Sequence, residues 1–242
     1  MEKNRILVKV CGMRDSENIR QVAELGVDWI GMIFWPKSPR NVTMIPTHAG
    51  IIPDRAPSSA SGYGRATPLR VGVFVDEMPQ NIITRAVNFQ LDIIQLHGHE
   101  TPTVIRNLRR TLDPDIRPGV KFIKAISVES RNDIATYKDY EDCVDYFLFD
   151  TRKPPREVGG WLPPGGTGQQ FDWSVLDAYD GNTPFLLSGG IGPDDAERVR
   201  AFFTAGSSSA AAKCIGIDLN SRFEVEPALK DIQKLKTFIQ QL

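Results

Sequence analysis

Short apolar, β-branched runs recur along the whole chain, at intervals that leave room for a helix between them. Runs of this length without strict alternation are typical of strands that are buried on both faces, as in a parallel sheet. The pattern predicts eight strands, at residues 6–11, 28–34, 70–75, 91–96, 120–126, 144–149, 184–188 and 214–219.

Amphipathic stretches of helical period separate most of these runs. Residues 16–25 begin with Ser16 as the expected N-cap, and residues 193–203 carry proline and acidic side chains in their first turn. The stretch at 226–241 places four apolar side chains on one helical stripe, at Leu229, Ile232, Leu235 and Ile239. The pattern therefore predicts helices over these three ranges.

Eight strands that alternate with helices in 242 residues predict a single (β/α)8 barrel over residues 1–242. An open doubly wound sheet is the weaker alternative, because the turn after the first strand lacks a GxGxxG pattern. Residues 41–69 hold four prolines and three glycines, which predicts a loop or one short helix in place of the second barrel helix. Residues 151–170 are also rich in proline and glycine and predict a second long loop.

Composition changes this picture mainly by exclusion. The chain is 24% charged with a net charge of −1, which gives no electrostatic reason to expect nucleic acid or a membrane as a partner. No apolar run approaches the roughly 20 residues of a membrane-spanning helix, and the N-terminus lacks the apolar stretch of a signal peptide. The three cysteines form no CxxC pair, so we expect neither a zinc site nor a disulfide framework, and a cytoplasmic location.

Two residues at strand ends carry the candidate chemistry. The active site of such a barrel lies at the carboxyl ends of the strands, where Cys11 ends the first predicted strand and Asp150 follows the sixth. A thiolate can act as a base or a nucleophile, and a carboxyl group in a half-dry pocket can hold its proton near neutral pH. Packing of Cys11 and a cap or loop hydrogen bond of Asp150 are the alternative interpretations. Cys143 and Cys214 lie near strand starts and are interpreted as structural.

Further polar residues and glycines follow the predicted strands on the same rim. Arg40 presents a planar fork suited to a carboxylate or a phosphate, with a solvated loop charge as the alternative. Two glycines before a helix that opens at Pro193 predict a phosphate site, because backbone N–H groups there can approach an anion closely. A tight βα turn that needs glycine for its backbone angles is the alternative. The remaining candidates for substrate binding are Gln95, His97, Gly166, Gly168, Ser188, Gly189, Gly190, Asp218, Asn220 and Ser221.

Several motifs, taken together and in order, resemble the phosphoribosylanthranilate isomerases of tryptophan biosynthesis. They are KVCG, KSPR, QLHG, GGTGxxFDW and SGGI, and the resemblance covers nearly the whole chain. It implies a (β/α)8 barrel with no metal or organic cofactor, a small-molecule phosphosugar as substrate, and a monomeric chain.

The resemblance also implies a reaction, the Amadori rearrangement of N-(5-phosphoribosyl)anthranilate to 1-(2-carboxyphenylamino)-1-deoxyribulose 5-phosphate. By that similarity Asp150 would be the general acid and Cys11 the general base. Arg40 would hold the anthranilate carboxylate, and the phosphate would lie against Gly189, Gly190 and the loop 218–221. The chain departs from the family after the eighth strand, where the usual Ser-Ser-Gly is replaced by Asn220, Ser221 and Arg222.

Two other functions stay open. A different phosphosugar barrel enzyme, such as indole-glycerol-phosphate synthase, would need a catalytic lysine at a strand end, for which Lys124 is the candidate. A sugar-phosphate epimerase would need metal-binding histidines and paired aspartates, which the strand ends do not offer. The second alternative to an isomerase is a catalytically silent barrel that binds a phosphorylated ligand. The presence of Cys11 and Asp150 argues against it.

Overall fold

Eight parallel strands form a closed barrel in chain order, with the first strand hydrogen-bonded to the last. The structure, a computed structural model, describes residues 5–43, 67–151, 172–204 and 210–242. The strands are β1 (Leu7–Val10), β2 (Trp29–Ile33), β3 (Leu69–Phe74), β4 (Ile93–Leu96), β5 (Lys121–Val128), β6 (Tyr146–Thr151), β7 (Phe185–Leu187) and β8 (Cys214–Leu219). The predicted barrel and all eight predicted strands are confirmed.

Helices and short turns connect these strands on the outside of the barrel. The helices of the described ranges are α1 (Ser16–Glu24), α2 (Pro79–Asn88), α3 (Pro102–Thr111), α4 (Arg131–Ile134), α5 (Ala196–Thr204) and α6 (Ile232–Gln240). A π-helical turn at Leu112–Ile116 extends α3, and 3₁₀ segments cover Ala135–Asp139, Trp173–Ala178, Pro193–Asp195 and Ser221–Phe223. After β8, a small antiparallel hairpin is formed by β9 (Glu224–Glu226) and β10 (Leu229–Lys230).

Each barrel strand buries both of its faces, which explains why the apolar runs do not alternate with polar residues. One face packs outward against the helices, in two clusters of aromatic and aliphatic side chains. The other face fills the barrel interior with Trp29, Val71, Val73, Ile93, Ile123, Leu148 and Leu186. Side chains that follow these interior residues by two positions therefore rise toward the carboxyl-end rim.

The predicted helix over 226–241 is wrong in its first third. Leu229 lies in β10, and the helix begins only at Ile232. The reason is local: Ala228 turns the chain with a φ of 72°, and the Asp231 carboxylate then caps the helix by accepting from the Lys234 N–H at 3.0 Å. The hairpin matters for the site, because it brings the buried Lys230 toward the rim.

A second correction concerns the start of α1. Its N-cap is Asp15 and not Ser16, since the Asp15 carboxylate accepts from the Asn18 N–H at 2.8 Å. The helix predicted at 193–203 is present, with its first turn as the 3₁₀ turn Pro193–Asp195. The predicted long loops fall largely on residues 44–66 and 152–171, which lie outside the described residues. Cys143 and Cys214 are both buried, as a structural interpretation requires.

Candidate active site

Cys11 and Asp150 lie in the same barrel interior. Cys11 is 4% exposed and belongs to the interior cluster that contains Leu148 of β6. Asp150 is 5% exposed and follows Leu148 by two positions on the same strand, so its side chain points to the same face one step nearer the rim. The Cys11 N–H donates to the Leu219 carbonyl at 2.8 Å, which fixes it at the end of β8. The structure thus turns both groups inward.

Two neighbours on adjoining strands contact the Asp150 carboxylate. The Ser188 hydroxyl donates to Oδ1 at 3.2 Å, and His97 Nε2 lies 3.6 Å from Oδ2. All three side chains are buried or nearly so. The carboxyl group of Asp150 therefore has polar partners from the ends of β4 and β7 at the rim.

Gln95 near the end of β4 and His97 just after it place two polar side chains beside each other at the rim. They are two positions apart on one face, and Gln95 Nε2 lies 3.4 Å from His97 Nδ1. Gln95 is 1% exposed, and among the described residues its Oε1 has no hydrogen-bond partner. A buried amide oxygen in this state needs a donor, and a hydroxyl group of a bound sugar can supply one.

Arg40 is held by a carboxylate that the sequence interpretation missed. Its Nε and Nη2 donate to the Glu224 carboxylate at 2.8 and 2.6 Å. Glu224 also accepts from Lys230 at 2.6 Å, and Lys230 donates to Asn220 Oδ1 at 2.8 Å. Burial raises the pKa of Glu224, but these two cations outweigh it and leave the pKa below its ordinary range. Arg40 is thus an oriented fork and not a solvated loop charge.

Gly12 explains why a glycine follows the cysteine. Its φ is 78°, and a Cβ built there would lie 2.6 Å from Arg40 Cδ and 2.7 Å from Asn220 Oδ1. The turn after β1 therefore needs both the left-handed conformation and the missing side chain. It lets Arg40 and Asn220 pack directly against the chain segment that carries Cys11.

Lys9 and Asp218 form an ion pair inside the barrel, and the sequence interpretation missed Lys9. Lys9 is fully buried, and its Nζ lies 2.8 Å from Asp218 Oδ1. The Cys11 side chain enters the same buried interior two positions further along β1, where the charge of Lys9 acts on its thiol. The signal for Lys9 was present in the sequence: a lysine in the middle of a strand that is buried on both faces has no route to solvent.

The pKa of the Cys11 thiol is set by opposing effects. Burial raises it above the ordinary value of 9.0, the charges of Lys9 and Lys230 lower it, and Asp218 raises it again. The net direction is upward. The ammonium of Lys9 is itself retained: burial lowers its pKa, but Asp218 and Cys11 outweigh this and leave the pKa above its ordinary value.

Two glycines with left-handed backbone follow β7 at the predicted phosphate site. Gly189 has a φ of 92° and Gly190 a φ of 71°, which turn the chain toward the start of the Pro193–Asp195 turn and α5. Asn220 and Ser221 approach from the neighbouring end of β8. The Asp218 carboxylate lies 2.8 Å from the Lys9 ammonium, and its predicted contact with the substrate stays a prediction. Gly166 and Gly168 lie outside the described residues.

Lys124, the candidate lysine of the alternative synthase function, donates its hydrogen bonds to the loop after β4. Its Nζ donates to the Gly98 carbonyl at 2.5 Å and to Glu100 at 3.0 Å, and its side chain is 4% exposed. Nothing in this arrangement favours a catalytic amine. Within the described ranges, no group of three or more His, Cys, Asp or Glu side chains could hold a metal ion.

The closed parallel barrel, with buried acid, thiol and cationic groups at its carboxyl ends, defines a (β/α)8-barrel enzyme. The model of a protein family described as N-(5'phosphoribosyl)anthranilate (PRA) isomerase matches residues 8–241. The chain therefore belongs to this family of isomerases of tryptophan biosynthesis.

Two relatives are similar over nearly the whole chain. The N-(5'-phosphoribosyl)anthranilate isomerase of Parabacteroides distasonis is 43% identical over 237 residues, which cover 98% of this chain and 93% of that protein. The isomerase of the same name from Phocaeicola vulgatus is 40% identical over 237 residues and is covered to 98%, as is this chain.

Two solved structures add a ligand and an oligomeric state. A phosphoribosyl anthranilate isomerase in complex with reduced 1-(o-carboxyphenylamino)-1-deoxyribulose 5-phosphate has a TM-score of 0.65 and 25% identity, covering 98% of this chain and 97% of that one. Monomers generated from the dimeric isomerase of Thermotoga maritima have a TM-score of 0.66, 26% identity and the same coverage. Because that relative is dimeric, the monomeric state stays a prediction for this chain. None of the helices in its described part is long and apolar enough to span a membrane.

Proposed function

We propose that this chain catalyses the Amadori rearrangement of N-(5-phosphoribosyl)anthranilate to 1-(2-carboxyphenylamino)-1-deoxyribulose 5-phosphate, with Asp150 as general acid and Cys11 as general base. The observation that carries the proposal is the placement of both groups in one buried interior at the carboxyl ends of the strands. The related structure that holds the reduced aminodeoxyribulose phosphate supports the same class of ligand.

Two catalysed proton transfers lead to the enolamine, and a further shift of a proton from the C2 hydroxyl to C1 gives the product. Asp150 protonates the ring oxygen of the furanose, and the ring opens to an iminium ion. The cationic imine makes the C2 proton acidic, and the Cys11 thiolate removes it to give an enolamine, which tautomerises to the aminoketone. Each positioned proton transfer contributes about 10²–10⁴-fold to the rate of such reactions.

The competent state needs a protonated carboxyl and an ionised thiol, although a carboxylic acid ordinarily ionises at lower pH than a thiol. That state contains the same number of protons as its alternative, the carboxylate with a neutral thiol. The two are tautomers, so over the pH range between their titrations the competent fraction is independent of pH. What changes this fraction is the local charge around Cys11 and Asp150.

The remaining candidate residues divide by the part of the substrate that they suit. Arg40 offers the anthranilate carboxylate the guanidinium edge opposite the one that Glu224 occupies. Gln95 Oε1 and His97 suit the sugar hydroxyls beside Asp150. The phosphate is assigned to the rim between β7 and β8, with Gly189, Gly190, Asn220 and Ser221, and with Gly166 and Gly168 as further predicted contacts.

A fluorescence assay that follows the consumption of phosphoribosylanthranilate tests the proposal. Wild-type protein should turn the substrate over, and Cys11→Ala and Asp150→Asn should each lower kcat by about 10²–10⁴-fold. Cys143→Ala is the matched control, because it removes a buried thiol that packs in an outer cluster. Absence of turnover by the folded wild type would contradict the function, and near-normal turnover in either variant would contradict the acid/base assignment.

A further inference from the structure

The charge of Lys9 has no part in the proton transfers described so far. It lies two positions before Cys11 on the same face of β1, so both side chains enter the barrel interior. It is fully buried, and its ammonium lies 2.8 Å from the Asp218 carboxylate on the neighbouring strand. Because Lys9 and Cys11 share one face of a buried strand, little solvent separates the ammonium charge from the thiol.

We propose that Lys9 is a positioning residue for the reaction: its ammonium, held by Asp218, stabilises the thiolate of Cys11 and so favours the tautomer that removes the C2 proton. This inference rests on the proposed role of Cys11 as the base. Lys9 lies below the rim and does not touch the substrate. It acts only through Cys11.

Three charged groups from different elements face Cys11. They are Lys9 on β1, Asp218 on β8 and Lys230 on β10. Lys230 is largely compensated by Glu224, 2.6 Å away, and burial lowers its pKa below the ordinary value. Lys9 has the larger charge effect of the two lysines on the thiol, and it lies on the same strand face as Cys11.

Asp218 has a definite part in this arrangement. An isolated lysine in a dry interior loses its proton readily, because desolvation disfavours the charged form. The carboxylate at 2.8 Å keeps Lys9 charged, at the cost of a weaker opposite effect on Cys11. The pair therefore delivers a permanent cation to a thiol that burial would otherwise keep neutral.

The effect on the reaction follows from the two tautomers. A change of one pKa unit in the thiol changes the ratio of the competent to the idle tautomer about tenfold. Removing the Lys9 charge should therefore lower kcat across the neutral pH range. It should leave KM nearly unchanged, since no substrate contact is lost.

Titration of the Cys11 ¹³Cβ resonance in protein labelled at cysteine measures this without substrate, with Cys11→Ala assigning the signal. In Lys9→Met we expect the midpoint to rise by about one pH unit or more, and kcat at pH 7 to fall about tenfold per unit. Lys124→Met is the matched control: it removes a buried ammonium of similar exposure, which pairs with Glu100 away from Cys11, and should leave the midpoint in place.

Lys9→Met leaves Asp218 unpaired and could fail to fold, so the double variant Lys9→Met/Asp218→Leu supplies an apolar pair of the kind that buried ion pairs tolerate. Because Lys9 outweighs Asp218 at the thiol, the midpoint should still rise. An unchanged midpoint in the folded variants, or an equal shift in Lys124→Met, would overturn the inference while leaving the base role of Cys11 intact. A raised midpoint with unchanged kcat would instead overturn Cys11 as the base, and with it the catalytic part of the inference.

Discussion

Lys9 and Lys124 are both buried inside this barrel, each beside a carboxylate, and they serve different ends. Lys124 donates to Glu100 and to backbone carbonyls at the end of β4 and in the loop behind it. Lys9 donates to Asp218, and its charge acts on the Cys11 thiol two positions along the same strand. Burial and ion pairing are alike in the two cases. What separates them is the group beside each ammonium: Lys124 contacts backbone carbonyls, whereas Lys9 lies next to the Cys11 thiol on the same strand.

The partners of Glu100 show what the Lys124 pair does. Its carboxylate accepts from the Asp76 N–H at 2.9 Å and from the Gly98 N–H at 3.0 Å, which joins the loops after β3 and β4. Those contacts are with backbone groups that do not titrate. A buried ion pair can therefore fix loop geometry or set a protonation state, and the identity of its third partner decides which.

The largest effect that we expect is on stability, from Lys124→Met. Breaking a buried ion pair strands the Glu100 carboxylate and should lower the free energy of unfolding by about 3–5 kcal/mol. The double variant Lys124→Met/Glu100→Leu should recover much of that loss. Urea denaturation followed by circular dichroism measures both, with Lys121→Met at a half-exposed ion pair as the control. A decrease in the free energy of unfolding below about 1 kcal/mol, which is typical of surface ion pairs, would contradict a stabilising role for the buried Lys124–Glu100 pair.

The residues of this comparison show which features of the site can be predicted from the sequence and which cannot. The barrel, the eight strands and the inward placement of Cys11 and Asp150 were predictable, because short apolar runs and the residues that follow them are features of the local sequence. Asp218 was predictable as a strand-end residue, but its partner was not. The Lys9–Asp218 contact joins residues 209 apart in sequence, and which rim residues meet depends on the stagger of the closed sheet.

The hairpin after β8 shows a second limit. A helical period of apolar residues predicted a helix through Leu229, but Ala228 adopts a positive φ and Asp231 begins the helix later. The consequence was functional, because the hairpin carries Glu224 and Lys230 into the site. Helix period alone does not report a turn that a single alanine makes in an unusual conformation.

The cluster of Arg40, Glu224 and Lys230 extends the comparison to substrate binding. Arg40→Ala should raise KM about 10–100-fold with a much smaller change in kcat, since a bidentate carboxylate contact is lost in the ground state as well as in the transition state. Arg14→Ala is the control, because Arg14 is an exposed guanidinium that reaches the Pro39 carbonyl in the same neighbourhood. Steady-state kinetics on both variants give the result, and an unchanged KM for Arg40→Ala would exclude the carboxylate contact.

The pH dependence of the wild-type rate sharpens the contrast between the Lys9–Asp218 pair, which lies beside a titrating thiol, and the Lys124–Glu100 pair. Because the competent state is one of two tautomers, kcat/KM should be flat through neutral pH. It should fall on the alkaline side, by about tenfold per pH unit, once the pH exceeds the raised pKa of Cys11, above 9.0. The rate falls above this pH because the pair loses its one shared proton. Both groups are then ionised, and Asp150 no longer has the proton that it must donate to the ring oxygen. A value of kcat/KM that continued to rise with pH in this alkaline range would contradict the assignment of Asp150 and Cys11 as a pair that shares one proton.

The smallest effect should come from Ser188→Ala, which removes one hydrogen bond to Asp150. The bond is 3.2 Å long and buried, and its loss should lower kcat/KM by about 2–10-fold, the equivalent of about 0.5–1.5 kcal/mol. Ser174→Ala is the matched control, because the Ser174 hydroxyl donates to the Asp172 carboxylate at 2.7 Å on the exposed start of a 3₁₀ turn. That variant should change stability slightly and kcat/KM not at all. Equal kinetic effects in the two variants would mean that the Ser188 contact, like the Lys124 pair, only maintains the fold, since a partner that orients the acid must change the rate when it is removed.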